Sequence, residues 1–384
     1  MKIRYMFFII AMLSIIYFTN NRPTEIADRI MVNAIGVDTD DVGYKVSMQV
    51  FSPGAGGSET SIDPSQPNVL LVSGKGVTVN DAVADCFGKL GGNVFTGQNQ
   101  IILFGRDIDF NDKEAVFGYF LSSTDTFLNV DCALAEKTAE DILKIPIQSN
   151  SISSEKFPLM ISSAAQNGRC IETKFMHLIN AMDSNSKSIV LPIFSEIRSG
   201  TSSDSSSQSS GGESGGNSSG GEEALPEEKF EISNGAVFNN GKYAAEITFE
   251  QMGLIGMLNG TGKSVRTDIR MDNEEFSKSY KIKSREVEAS IEDGNIVFNI
   301  KCKLTPKDSQ MFDSMEDRDK SNAIAISLIE KKAQSLAENI CDTFSPELLH
   351  TALHLKRYYP DIYRKYKDDT EELYKHIVFK VSIE

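Results

Sequence analysis

The segment that most resembles a site of chemistry is Gly260–Ser264 (GTGKS), whose last three residues match the end of a phosphate-binding loop. Such a loop holds phosphate with backbone N–H groups, and it needs a glycine five positions before its second glycine. That position is Met257 here, and the neighbouring Gly256 misses the required spacing. No apolar strand runs directly into the segment either. The sequence therefore predicts a surface turn after a helix and no nucleotide site.

The four histidines are a second candidate, because His350 and His354 lie four residues apart on a predicted helix. Two metal ligands can use this spacing, but the intervening TAL lacks the glutamate of a zinc protease and no third ligand is evident. His177 and His376 lie in no recognisable nucleophile motif, and the chain contains no G-x-S-x-G. We therefore expect no bound metal, no cofactor and no enzymatic activity.

The segment 355–375 (LKRYYPDIYRKYKDDTEELYK) interleaves five tyrosines with six basic residues, a composition found on some nucleic-acid surfaces. Five acidic residues in the same segment offset most of that charge. Leu355, Tyr359, Ile362 and Tyr366 recur at helical spacing, which favours packing against the core, with a partner-binding face as the alternative.

The overall charge argues against polyanionic partners. The 384 residues include 39 Lys or Arg and 54 Asp or Glu, which gives a net charge of -15. Binding to nucleic acid needs clustered positive charge, so we expect no nucleic-acid partner. The five cysteines are scattered without a CxxC motif, and we expect them to behave as small buried hydrophobic residues.

The N-terminus carries an export signal, because an uncharged apolar run follows Lys2 and Arg4. The run has 13 residues, fewer than the roughly 20 that a transmembrane helix needs. No A-x-A-like cleavage site follows it, so we expect an uncleaved signal anchor, with a cleaved signal peptide as the alternative. In both cases the rest of the chain lies outside the cytoplasm. The predicted membrane anchor consists of Met6, Phe7, Phe8, Ile9, Ile10, Ala11, Met12, Leu13, Ser14, Ile15, Ile16, Tyr17 and Phe18.

The remaining pattern predicts an α+β protein with three mixed-sheet domains behind the N-terminal hydrophobic anchor. Residues 1–22 form the signal anchor or signal peptide. An N-terminal α+β domain is expected over 23–148, a middle α+β domain over 149–272 and a C-terminal α+β domain over 273–384. With about 150 residues per domain, a chain of this length is expected to hold two or three.

Local patterns predict several elements of these domains. Two apolar runs in 29–51 flank a turn-rich DTDDVG and indicate a β-hairpin. Thr78 or Asn80 can cap a helix that runs to about Leu90. An amphipathic helix in the C-terminal domain is indicated by apolar residues at spacings of three and four: Ile326, Ile329, Ala333, Leu336 and Ile340.

A Ser/Gly/Glu-rich segment, 199–228, interrupts the middle domain. Of the 23 residues in 199–221, 18 are Ser or Gly, and such a segment buries too little apolar surface to fold. We therefore expect a disordered loop. The predicted strands 189–197 and 230–238 on either side look like neighbours, which places the loop within the domain; a domain boundary is the alternative.

Taken in order along the chain, several segments make the sequence similar to spore germination proteins of the Ger(x)C family, the C subunits of nutrient germinant receptors. The segments are RIMVNAIGVD (29–38), GKGVTVNDAVADCFGKL (74–90), QNQIILFGRDI (98–108), SNGAVFNNGKYAAEIT (233–248), LKRYYPDIYRKY (355–366) and HIVFKVSIE (376–384). None carries a catalytic signature, so the resemblance rests on their order.

The resemblance implies three α+β domains on the outer face of the spore inner membrane and a non-enzymatic role in germination. It also implies two integral-membrane partners, a multispanning A subunit and a transporter-like, nutrient-sensing B subunit. The contact residues remain unknown at this stage. An exported solute-binding or cell-wall-binding module is the alternative from another functional class.

The chain departs from the family at its anchor. Family members are usually lipoproteins with a cysteine at the end of the signal peptide, whereas the first cysteine here is Cys86. We therefore expect no lipid attachment at the usual place. A retained hydrophobic helix would replace it, because a single acyl chain alone binds membranes only marginally.

Overall fold

The computed structural model describes residues 29–51, 69–145, 153–197, 230–271, 274–307, 315–367 and 369–384, together with Tyr5, Ile10, Met12 and Ser14. The predicted anchor 6–18 otherwise lies outside the described residues. Within the part of the chain that the structure describes, no helix is both long enough and apolar enough to cross a membrane.

The described residues form an α/β mixture of strands and helices. The strands are β1 (Arg29–Asp40), β2 (Gly43–Phe51), β3 (Val69–Gly76), β4 (Asn93–Phe95), β5 (Ile101–Phe104), β6 (Asp131–Ala135), β7 (Ile189–Glu196), β8 (Phe230–Asn239), β9 (Lys242–Ile247), β10 (Ser264–Met271), β11 (Glu274–Glu292), β12 (Asn295–Pro306) and β13 (Ile377–Ile383). The helices are α1 (Val79–Leu90), α2 (Lys113–Ser122), α3 (Ala139–Lys144), α4 (Ser153–Gln166), α5 (Phe175–Asp183), α6 (Phe249–Asn259), α7 (Met315–Thr343), α8 (Thr351–Tyr358), α9 (Pro360–Tyr366) and α10 (Thr370–Lys375), with a 3-10 turn over Pro346–Leu349.

The first sheet contains nine strands in the order β3-β2-β1-β5-β6-β7-β8-β9, with β4 paired to β1. Its middle strands β1, β5, β6 and β7 run parallel, and hairpins extend it in antiparallel fashion on both sides. Helices cover both faces, which is the usual arrangement around parallel strands. On β5, Ile102 and Phe104 face the core beneath α1, α2 and α5, while Ile101 and Leu103 face α3 and α4.

The second sheet has four strands in the order β10-β11-β12-β13, and the last strand runs parallel to β12 at the edge. The long helix α7 packs on it through its apolar stripe, including Ile329, Ala333 and Ile340. This confirms the amphipathic helix that the spacing predicts. Helix α6 contributes Met252 and Leu258 to a core that contains residues of both sheets.

The number of sheets differs from the sequence prediction. Three mixed sheets are expected, whereas the described strands form two. The reason is that β6 and β7 pair across the predicted boundary between 148 and 149, so the first two predicted domains share one sheet. Strand β10 also belongs to the C-terminal sheet, although it lies before residue 273. The three-domain division itself stays a prediction.

The position of the Ser/Gly/Glu-rich segment follows from the pairing around it. Strands β7 and β8 pair antiparallel, from Ile189 opposite Phe238 to Glu196 opposite Phe230. The two flanking strands are therefore neighbours, as the sequence predicts. Residues 198–229 lie outside the described residues and connect two adjacent strands of one sheet.

Candidate functional site

A cleft of about 720 Å³ lies between the first sheet's helix α5 and the C-terminal segment that runs from the 3-10 turn through α10. The start of β7 and the turn after α6 complete its walls. Clefts of this size between two structural units are a common location for small-molecule sites.

Helix α5 presents two different faces because its apolar and polar residues alternate at helical spacing. Phe175, Leu178 and Met182 are fully buried in the core of the first sheet. The opposite face, with His177 and Asn180, lines the cleft. The His177 Nδ1 accepts a hydrogen bond from the backbone N–H at the start of the helix, 3.4 Å away, which leaves the proton on Nε2.

The opposite wall begins at the 3-10 turn, where Ser345 caps the chain and Pro346 occupies the first position. His350 follows with φ +59, a left-handed conformation that redirects the chain into α8. Burial lowers the pKa of His350, and Arg285 acts in the same direction. The imidazole is therefore held toward its neutral form. Six residues after His350, on α8, Lys356 also lines the cleft.

Glu347 is the acidic group of this wall and is almost completely buried. Its Oε2 accepts hydrogen bonds from the backbone N–H of Ala352 at 2.8 Å and from the Thr351 hydroxyl at 3.3 Å. Burial raises the pKa of Glu347, although these hydrogen bonds oppose the shift. The Glu347 carboxyl group thus accepts hydrogen bonds from the first turn of α8.

Few polar contacts cross between the two units at the edges of the cleft. Asn185 Nδ2 donates to the Thr370 hydroxyl at 2.9 Å on one side. On the other side, Lys263 contacts Glu172 at 2.5 Å, and Glu172 also contacts Lys174 at 3.0 Å. Lys174 in turn pairs with the buried Asp131 at 2.7 Å. This chain of charges joins β6 to the segment that leads into β10.

The structure agrees with the predicted turn at Gly260–Ser264. Gly260 ends α6 in the left-handed conformation, with φ +83, and the segment then leads into β10. A phosphate-binding loop would have to open a helix, whereas this one follows a helix and precedes a strand. Lys263 pairs with Glu172.

The histidine pair and the tyrosine segment also take structural roles. Burial lowers the pKa of His354, whose ring packs 4.9 Å from that of Tyr358. Among the described residues, no group of three or more His, Cys, Asp or Glu is arranged to hold a metal ion. Pro360 begins α9 directly after α8, and Tyr359 between the two helices packs against the core that contains residues of both sheets.

The cysteines behave as the sequence predicts. All five are free thiols: Cys86, Cys132, Cys170 and Cys302 are buried, and Cys341 is half-buried. Burial raises the pKa of Cys86 and of Cys302 to about 11, which keeps both thiols protonated and unreactive.

The sequence does not predict a binding site at this cleft. By residue type and spacing alone, His177 and His350 are candidates only for nucleophilic catalysis or metal binding, and Glu347 and Asn180 carry no signal of their own. The available signal was the polar face of α5, with His177, Asn180 and Ser184 at spacings of three and four. Such a face on a helix whose other side is fully buried indicates either solvent or a cleft, and only the tertiary structure distinguishes the two.

Comparisons with known proteins give a consistent result along almost the whole chain. Residues 22–196 match the family model described as "Spore germination protein N-terminal domain". Residues 233–384 match the model described as "Spore germination B3/ GerAC like, C-terminal". No protein in the curated set matches the chain.

Among solved structures, one entitled "Crystal Structure of the GerBC protein" is similar to this chain with a TM-score of 0.51 and 14% sequence identity. The match covers 91% of this chain and 95% of that one. At this identity the likeness shows a common fold. With both halves matching models of the same family in the expected order, the chain belongs to the Ger(x)C family of spore germination proteins.

Proposed function

We propose that this protein is the C subunit of a spore nutrient germinant receptor, a non-enzymatic subunit held at the outer face of the spore inner membrane. Family membership is the observation that carries the proposal. In this proposal, residues 6–18 anchor the chain, and the folded part contacts the integral-membrane A and B subunits. No cofactor is involved.

The proposed action is mechanical, because the two sheets are joined closely enough to move as coupled units. Helix α6 packs against both, and Gly253 on α6 approaches the backbone of Gly168 after α4 so closely that a Cβ would lie 2.5 Å from its carbonyl oxygen. A displacement of one unit by a membrane subunit would therefore be transmitted to the other. Packed interfaces tend to switch between discrete arrangements rather than deform continuously.

Affinity capture tests this proposal. The full chain with a C-terminal tag is purified from detergent-solubilised spore membranes, and the accompanying proteins are identified by mass spectrometry. We expect two multispanning proteins, the A and B subunits, and we expect neither with a tagged control of another exported membrane protein. Recovery of the chain alone, under conditions that keep other membrane complexes intact, would contradict the proposal.

A variant tests the anchor separately. Ile10→Arg and Ile15→Arg in one chain place two charges in the predicted apolar run, where each costs several kcal/mol, about 2.5 to 3.5 on insertion scales. We expect the double variant to lose its membrane association. Tyr5→Arg is the control, because Tyr5 lies just outside the apolar run, and this variant should remain associated with the membrane. Membrane retention of the double variant would show that another part of the chain attaches it.

A further inference from the structure

We propose that the cleft between α5 and the helices α8 to α10 binds a small organic molecule that carries an oxyanion, a carboxylate or a phosphate. This inference goes beyond the receptor role, because it rests on the chemistry of the cleft walls and not on any partner.

The three acidic side chains that line the cleft all form ion pairs or hydrogen bonds with other groups of the protein. Glu172 is paired with Lys174 and Lys263. Asp183 is paired with Lys113 at 2.7 Å. Glu347 is buried and accepts hydrogen bonds from its own chain, as described above. None of the three is left to repel an anion at full strength.

The basic and hydrogen-bond-donating groups that line the cleft, in contrast, remain available to a ligand. Lys356 is exposed at the cleft, and within the described residues no acid lies within ion-pair distance of its ammonium group. His177 directs its Nε2 proton away from the helix start, and His350 lines the same cleft. In a chain with a net charge of -15, the cleft therefore offers, among its described residues, one ammonium group without an acidic partner, together with hydrogen-bond donors.

The size and the remaining walls specify an organic molecule. A volume of about 720 Å³ lies within the range of small-molecule sites, roughly 300 to 1,000 Å³, and it is far larger than a single inorganic ion needs. Ile171, Val190 and Leu353 give part of the lining an apolar character. The amide of Asn180 adds a donor on the same wall as His177. An apolar body with one anionic group fits this combination.

Isothermal titration calorimetry on the full chain in detergent tests the proposal with three probes. Benzoate and phenyl phosphate each carry an oxyanion on an apolar ring, and benzamide is the uncharged counterpart of benzoate. We expect saturable binding of benzoate, of phenyl phosphate or of both, and at least tenfold weaker binding of benzamide. Binding of one anion only would identify the carboxylate or the phosphate as the recognised group.

Variants locate the binding in the cleft. Lys356→Gln should weaken the binding of the anions about tenfold, because it removes a charge-assisted hydrogen bond. His177→Ala should weaken it as well, while Lys365→Gln, an exposed lysine of α9 outside the cleft, should leave it unchanged. Circular dichroism of each variant confirms that it folds.

The proposal is overturned if neither anion binds at concentrations up to about 10 mM, which corresponds to a very weak complex. Equal binding of benzamide, or anion binding that Lys356→Gln and Lys365→Gln reduce alike, would overturn it too. None of these results bears on the capture of the A and B subunits, so the two proposals fail separately.

Discussion

Gln334 of the long helix α7 binds the backbone of Val381 on the last strand, with the Val381 N–H donating to Oε1 at 2.9 Å. The same amide donates through Nε2 to the Phe379 carbonyl, also at 2.9 Å. One turn earlier on α7, Glu330 accepts from the Ile383 N–H at 2.8 Å. Strand β13 is the edge of its sheet, and an edge with unpaired backbone groups invites pairing with another chain. The helix thus supplies side chains where a further strand would have paired.

Removing the Gln334 amide should expose this edge. Gln334→Met keeps a side chain of similar length but leaves Val381 N–H and Phe379 C=O without their partner. We expect a loss of about 1 to 2 kcal/mol in the free energy of unfolding, measured by urea denaturation. Gln334→Glu keeps the acceptor for the Val381 N–H but places a carboxylate against the Phe379 carbonyl and the Glu338 carboxylate, so it should cost at least as much. Equal stability of Gln334→Met and the parent chain would show that water replaces the amide fully.

The elements that the sequence predicts correctly are those whose signals are local. Helix α1 begins after Thr78. The Thr78 side chain accepts from the Asp81 backbone N–H, and the Asp81 side chain accepts from the Thr78 backbone N–H. This capping pattern spans only four residues of sequence. The β1–β2 hairpin follows in the same way from two apolar runs around a short turn. The edge position of β13, in contrast, has no local signal, because the pattern HIVFKVSIE (376–384) suits an edge strand and a central strand alike.

The features that the sequence does not reveal depend on distant pairings. Strands β6 and β7 are separated by more than 50 residues, and their parallel pairing merges two predicted domains into one sheet. Strand β10 (SVRTDIRM) buries Val265, Thr267 and Ile269 on one face, but five of its eight residues are polar, so no apolar run marks it and its pairing with β11 defines it. The cleft has the same origin, because α5 and Lys356 come together only through the packing of both sheets.

The close approach of Gly253 to Gly168 makes a specific prediction about stability. In an ordinary helix interior, Gly→Ala stabilises by about 0.5 to 1 kcal/mol. At Gly253 the new Cβ would lie 2.5 Å from the Gly168 carbonyl oxygen, which is backbone and cannot rotate away. We therefore expect Gly253→Ala to destabilise the protein by about 1 to 3 kcal/mol. Gly88→Ala on α1 is the matched control, because no atom lies within 4 Å of the added Cβ, and it should raise the melting temperature.

The two lysines that contact Glu172 should differ in importance. Lys174 also pairs with Asp131, whose side chain is only 7% exposed, and burial raises the pKa of that carboxyl. Lys174→Met would leave the buried carboxyl without its partner, and we expect a loss of about 3 kcal/mol in the free energy of unfolding. Lys263 is half exposed, so Lys263→Met should cost less than about 1 kcal/mol. Similar losses in both variants would mean that Asp131 finds another partner.

The buried carboxyl of Glu347 should make stability depend on pH in a direction opposite to that of a salt-bridged acid. Because burial raises its folded-state pKa, the folded protein holds the proton more tightly than the unfolded chain does. Its favourable contribution is present below the unfolded-state pKa and is lost as the pH rises through the folded-state pKa. Glu347→Gln cannot titrate, and its amide oxygen can still accept from the Ala352 N–H.

We therefore expect the melting temperature of Glu347→Gln, minus that of the parent chain, to be more positive at about pH 8 than at about pH 4. Taking the difference cancels the acids that both proteins share, including Asp38 and Asp131, whose pKa burial also raises. Glu371→Gln, at an exposed position of α10, is the matched control and should show a smaller change. A difference for Glu347→Gln that is constant with pH would mean that folding does not raise the pKa of the carboxyl, and one that falls as the pH rises would mean that the folded protein favours the ionised form.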